Sequence, residues 1–266
     1  MKQRILTGII LLPALILYIA YANTFFFRLL VLVVAGLALF EFLRMALPDE
    51  RHVERRLGTA AGALLVLLLA GGNARLALGG LSLLLIFWLC WFLLRFRELS
   101  SVIHHLALLF LGLIYLALPL GLLAALGDLA WGRQWVFLIL LLTMASDTAA
   151  YFVGINFGRR KLYPAISPNK SVEGALGGLA GALVGVLVAK YWFFPVLNLA
   201  ECLLLALILG PLAQAGDLVE SMLKRSFGVK DSGTLIPGHG GILDRLDSLL
   251  LVFPPVYFYA LLRGFG

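Results

Sequence analysis

Cysteine is nearly absent: Cys90 and Cys202 are the two in the chain, both inside apolar segments. Neither a disulfide framework nor a thiolate metal site follows from them, and both read as packing residues. Charge is scarce as well. Asp, Glu, Lys and Arg make up 13% of the residues against 62% hydrophobic ones, and the mean hydropathy is +1.02, which excludes an ordinary water-soluble globule. No repeat of fixed period appears, and no low-complexity segment beyond Leu/Ala/Gly-rich helix interiors. P-loop, GxSxG and HExxH patterns are missing, which argues against an NTPase, a serine hydrolase and a zincin. Few carboxylates offset the cations, leaving a net charge of +7. The cations stand in short clusters between apolar stretches, so they imply anionic lipid or a phosphorylated substrate, and no nucleic acid is expected as a partner.

What is present is a succession of apolar segments of membrane-spanning length. A helix needs about 20 apolar residues to cross the hydrocarbon core. On that measure spans are expected near residues 5 to 22, 25 to 43, 57 to 71, 76 to 94, 106 to 126, 135 to 156, 174 to 194, 199 to 222 and 246 to 263. The N-terminal MKQR and its apolar run resemble a signal peptide, with Ala20-Tyr21-Ala22 as a small-x-small site. The run is long enough to span, so an uncleaved first helix is expected. With the N-terminus inside, sixteen Lys and Arg fall in cytoplasmic segments and five on the other face, which supports that orientation. The expected fold class is therefore all-α: a polytopic membrane helix bundle of about nine transmembrane helices with a cytoplasmic N-terminus. One integral domain, 1–266, is expected, with 1–130 mainly scaffold and lipid-facing helices and 131–266 carrying the catalytic helices and cytoplasmic loops.

Carboxylates within or at the edge of a membrane helix are expensive, so each is a candidate for metal, proton or partner-charge binding. Asp147 lies within the sixth apolar span in MASDTAAYFVG, with Tyr151 one turn on; structural pairing to another helix is the competing reading. The loop FGRRKLYPAISPNKSVEG supplies Arg159, Arg160, Lys161 and Lys170, with Ser167, Ser171 and Glu173 beside the start of a helix, where backbone amides favour anions. Phosphate binding is the expectation there. In GDLVESMLKR, Asp217, Glu220, Ser221 and Lys224 share one helix face. A salt-bridged helix end explains Glu220 and Lys224 but not Asp217, for which a hard cation is a good partner. In KDSGTLIPGHGGILDRLD, Gly233, Gly238, Gly240 and Gly241 permit turns and close approach to a phosphate, His239 adds a donor or acceptor, and Asp244 and Asp247 open the last helix. The glycines 174, 177, 178, 181 and 185 recur at spacings of three and four, which reads as close helix packing. Oxygen ligands with a basic surround suit Mg²⁺ on a polyphosphate better than zinc. The residues alone thus point to phosphoryl or nucleotidyl transfer at the membrane surface.

The run Ser221-Met-Leu-Lys224-Arg225, then Lys230-Asp231-Ser-Gly233, Pro237-Gly-His239-Gly240-Gly241, Asp244-Arg245 and Asp247 resembles the signature of the phosphatidate cytidylyltransferases, or CDP-diacylglycerol synthases, without departure. SDTAAYFVG, SPNKSVEG and GDLVES look like further blocks of that family. The N-terminal half, to about residue 130, matches only as apolar helices. The resemblance implies transfer of a cytidylyl group from CTP to phosphatidic acid in the lipid bilayer of a bacterial inner membrane. Pyrophosphate would leave, and Mg²⁺, with room for an additional cation, would be required at a site facing the cytoplasm. A homodimer is compatible with it. On this footing Asp217 and Asp244 are expected as principal metal ligands, with Asp147 and Asp247 as further ones. Lys224, Arg225, Lys230, Asp231 and His239 are expected in the catalytic set. Ser167, Lys170, Ser171, Glu173, Ser221, Gly240, Gly241 and Arg245 are expected to bind substrate. A CTP-dependent kinase, or a cytidylyltransferase for another membrane lipid, would keep the same polyphosphate site. An ion-coupled secondary transporter would also place carboxylates in helices, but no halves related by inverted hydropathy are seen and the polar residues gather at one face.

Overall fold

The computed structural model describes residues 2–95, 98–235 and 240–265. The order is α1 (Lys2–Tyr21), α2 (Thr24–Ala46), α3 (His52–Ala70), α4 (Ala74–Arg95), α5 (Leu99–Gly112), α6 (Leu118–Leu126), α7 (Gly132–Phe157), β1 (Lys161–Tyr163), β2 (Ser167–Ser171), α8 (Val172–Trp192), α9 (Leu199–Ser226), α10 (Leu243–Leu250) and α11 (Phe253–Leu262). A π-helical turn, Leu113–Ala117, joins α5 to α6, so the two form one span, Leu99–Leu126. Among the described residues, six helices are long and apolar enough to cross a membrane, seven if the bent pair α10 and α11 counts as one. The all-α membrane class is therefore what folds.

Two local expectations change. The ninth expected span is broken into α10 and α11, which meet at 41°. Pro254 and Pro255 sit at the start of α11, and a proline lacks the N–H that would continue α10. The loop expected at 157–174 contains an antiparallel ribbon, with Lys161 opposite Ser171 and Tyr163 opposite Ser167. Ser171 ends this ribbon and caps α8, its hydroxyl accepting from Gly174 N at 3.1 Å.

The helices form two compact units, Met1–Asp128 with Asp231–Asp244, and Leu129–Lys230 with Arg245–Gly266. In the first, α2 buries Val31, Ala35, Ala38, Leu39, Phe42 and Leu43, the stripe that a 3.6-residue period turns to one side. Its large side chains enter gaps left by glycine. A Cβ at Gly58 of α3 would lie 2.7 Å from Leu43 Cδ1, and one at Gly112 of α5 would lie 3.2 Å from Phe42. Leu39 fills the corresponding space at Gly62.

In the second unit the glycines of α8 bring it against the backbone of α7, as their spacing predicts. A Cβ at Gly174 would lie 2.9 Å from Ala150 O, and one at Gly185 3.0 Å from Leu141 O. Such close approach is how helices associate where lipid removes most of the hydrophobic drive. Helix α9 starts from a reciprocal capping box between Asn198 and Glu201. Further along it Gly216 leaves room for Asp247 O, so the backbone of α10 lies directly on α9.

Candidate active site

In the second unit α7, α8, α9 and the ribbon enclose a cavity of ≈ 600 Å³ lined by, among others, Asp147, Tyr151, Gly154, Asn169, Lys170, Ser171, Gly174, Gln214 and Asp217. Each wall has a local reason. The small residues of the α7–α8 contact set the spacing of those helices. Gln214 Nε2 donates to Ala175 O at 3.0 Å and ties α9 to α8. The ribbon carries Lys170 inward, where its Nζ lies 2.7 Å from Asp217 Oδ2. Ser221, one turn along α9, is 3.4 Å from the other oxygen of Asp217.

Asp217 does not stand alone. Asp147 and Asp247 are near enough to it for their charges to interact, Lys170 acts on Asp147 as well, and Ser248 reaches Asp147. Asp247 Oδ1 accepts from Ser248 N at 2.7 Å. Three carboxylates expected from the sequence are thus gathered in one unit, with Lys170 beside Asp217 and Asp147 and Arg245 acting on Asp247. Asp217 and Lys170 keep about 30% and 28% of their side-chain surface open, so the pair is accessible to a ligand. The donors are oxygen only, which suits a hard divalent cation. Among the described residues no three His, Cys, Asp or Glu side chains form a ready metal cage. Mg²⁺ held through substrate phosphates needs only one or two protein carboxylates, so this donor set fits it.

The remaining candidates of the second unit do varied things. Glu173 Oε2 accepts from the backbone of Arg159 and Arg160 at 2.9 and 3.2 Å, so it secures the entry to the ribbon. Ser171 caps α8 while lining the cavity. Ser167 lies at the far end of β2, opposite Tyr163. Lys224 pairs at 2.6 Å with Glu220, which is buried. Arg225 contacts Val229 O at 3.4 Å, and Lys230 and Arg245 are exposed.

The first unit holds the glycine-rich end of the signature. Asp244 is buried, and its Oδ2 accepts from Ser232 N at 3.0 Å, Ser232 Oγ at 2.8 Å and Gly241 N at 2.7 Å. Gly240 has φ +82°, a conformation that penalises any residue with a Cβ. A Cβ at Gly241 would overlap Ser232 Oγ and Glu41 Oε2. Both glycines are thus accounted for by the packing of this loop. Asp231 is exposed at its start. His239 lies outside the described residues.

Sequence reasoning passed over Glu41, Gln214 and Ser248. Glu41 had a usable signal, because it is a carboxylate inside the expected span 25 to 43, and the rule that selected Asp147 selects it equally. Gln214 and Ser248 carry no comparable signal, since polar uncharged residues are common in membrane helices.

The sequence profile of the cytidylyltransferase family matches residues 2–262. A phosphatidate cytidylyltransferase of Bacillus subtilis (strain 168) is 35% identical over 275 aligned positions, covering 97% of this chain and 97% of that protein. One of Staphylococcus haemolyticus (strain JCSC1435) is 47% identical over 123 residues, 46% of this chain and 47% of the relative; its Staphylococcus aureus (strain COL) counterpart matches to the same extent. With the family profile matching residues 2–262 and a relative 35% identical along nearly the whole length of both chains, this chain belongs to the cytidylyltransferase family.

Proposed function

We propose that the chain transfers a cytidylyl group from CTP to phosphatidic acid, forming CDP-diacylglycerol and pyrophosphate. The observation that carries the reading is the Lys170–Asp217 pair, 2.7 Å apart and open to a cavity beside Asp147. An exchangeable cation-and-carboxylate pair beside a further carboxylate supports phosphate chemistry there. The acceptor and donor follow from what the relatives are named for.

A phosphate oxygen of phosphatidate attacks the α-phosphorus of CTP, one P–O bond forms as the bond to the β-phosphate oxygen breaks, and pyrophosphate departs with that electron pair. No general base is obligatory, because the attacking phosphate is already anionic near neutral pH. Lys170 leaves Asp217 for a phosphate oxygen and neutralises charge there. Asp217, with Asp147 or Asp247, would hold a divalent cation, Mg²⁺, which would supply further neutralising charge to the polyphosphate. Asp244 holds Ser232 and Gly241 together. The loops bearing this chemistry face the cytoplasm of a bacterial inner membrane, in keeping with the excess of Lys and Arg on that side.

The test is turnover by the purified protein in phosphatidate-containing liposomes with labelled CTP, with and without Mg²⁺. Metal-dependent formation of CDP-diacylglycerol and stoichiometric pyrophosphate is expected. Release of CDP with phosphorylated lipid, or turnover only with another lipid acceptor, would overturn the assignment.

A further inference from the structure

The signature loop is held from the far end of the chain. Glu41 of α2 is 8% exposed. Its Oε1 accepts from Ile242 N at 3.1 Å, and its Oε2 from Leu243 N at 2.9 Å and from Ser232 Oγ at 3.3 Å. Leu243 begins α10, so Glu41 satisfies backbone N–H groups at a helix start and places a negative group where the helix dipole favours one. Ser232 joins the two carboxylates. Its single hydroxyl proton faces Asp244 Oδ2 at 2.8 Å and Glu41 Oε2 at 3.3 Å, so it serves the nearer Asp244 best.

We infer that Glu41 is a positioning residue for the reaction: it fixes the backbone at Ile242 and Leu243 and the Ser232 side chain and, through Ser232 and the adjoining Gly241, the Asp244 carboxylate. The glycines of the signature bear this out sterically. A Cβ at Gly233 would lie 2.6 Å from Glu41 Oε1, and one at Gly241 would overlap Oε2. A carboxylate on a long side chain can normally swing aside, but this one is buried and hydrogen-bonded. Its helix is pinned on both sides, with Leu39 and Leu43 lodged against Gly62 and Gly58 of α3. Glycine at 233 and 241 is therefore the condition for Glu41 to reach the loop. Through Glu41 the N-terminal half, which carries no signature motif of its own, takes part in the chemistry.

The role rests on the proposed cytidylyl transfer for its kinetic consequence, but not for its structural one, and the experiment separates the two. Full-length Glu41→Gln, Ser232→Ala and the double variant are purified and compared with the wild type. Gln retains one acceptor and turns an NH₂ toward backbone donors. With one to two charge-assisted hydrogen bonds lost, kcat is expected to fall by about 10- to 100-fold, while KM for CTP and for phosphatidate shifts less than about threefold. The double variant is expected to lose no more than the worse single one, since both act in one network. Hydrogen exchange at the amides of Gly241, Ile242 and Leu243 is expected to rise by at least about tenfold in Glu41→Gln, with α7 and α8 unchanged. Unchanged exchange at those amides overturns the clamp. Loosened exchange with wild-type kcat, or additive losses in the double variant, overturns its role in turnover. If Glu41→Gln does not fold, Ser232→Ala and its exchange at Gly241 carry the same decision. A wild-type protein without cytidylyl transfer would sink the proposed reaction and leave the exchange result to decide the clamp.

Discussion

Two groups of carboxylates in this chain meet opposite fates. In the first unit Glu41 and Asp244 are buried and take hydrogen bonds from Ile242, Leu243, Gly241 and Ser232. In the second, Asp147 is exposed and Asp217 and Asp247 are half-buried; Asp147 and Asp217 share Lys170 beside a cavity, and Arg245 acts on Asp247. Carboxylates saturated by fixed backbone donors hold a shape, because removing any partner leaves a buried polar group unsatisfied. Carboxylates crowded together and balanced by flexible cationic side chains are poor at that and good at exchanging partners, since their mutual repulsion is relieved when a cation arrives. The sequence presents all five as acidic residues near membrane helices; their donors tell them apart.

The sharpest break between the groups comes from replacing one member of each by its amide. Asp217→Asn is expected to lower kcat/KM by at least about 100-fold, with thermal stability unchanged or raised because a like charge leaves the cluster. Asp244→Asn is expected to lose activity and also about 1–3 kcal/mol of stability, since the oxygen that Ser232 N, Ser232 Oγ and Gly241 N share would become a neutral amide carbonyl and its hydrogen bonds would lose their charge assistance. Thermal unfolding of the two detergent-solubilised variants beside their turnover checks this. Equal stability losses would erase the distinction.

Lys170→Ala should produce a smaller, differently shaped effect. Losing one charge-assisted contact to phosphate is expected to weaken the apparent dependence on CTP or phosphatidate by about 10-fold, and wild-type dependence on both would remove Lys170 from the site. Smallest is Ser171→Ala, expected to cost about 1 kcal/mol through the lost α8 cap and to change turnover less than Lys170→Ala does. A larger kinetic effect would give the Ser171 hydroxyl a part in binding substrate.

Much of the fold was legible because membrane helices announce themselves by composition. The packing role of the α8 glycines could be read from their spacing alone, since only small residues at three and four apart let backbones touch. The ribbon at 161–171 was not legible: eight of its eleven residues form two short strands without hydrophobic alternation. The break between α10 and α11 was visible in Pro254 and Pro255, yet the apolar run on both sides of them reads as one span. At the site, Asp217 stands out against apolar neighbours and Lys170 belongs to a loop of cations and serines, and the structure brings the two together across 46 intervening positions. Glu41 meets its loop from 191 to 202 residues away, and no local pattern records a pairing of that length.

In the proposed reaction the open cluster, through Asp217, would hold the divalent cation. Mn²⁺ binding to the purified full-length protein in the presence of CTP, followed by loss of the free-ion electron paramagnetic resonance signal, tests it most directly. Asp217→Asn is expected to weaken Mn²⁺ binding by at least about 10-fold relative to the wild type. Wild-type Mn²⁺ affinity in Asp217→Asn would contradict the account.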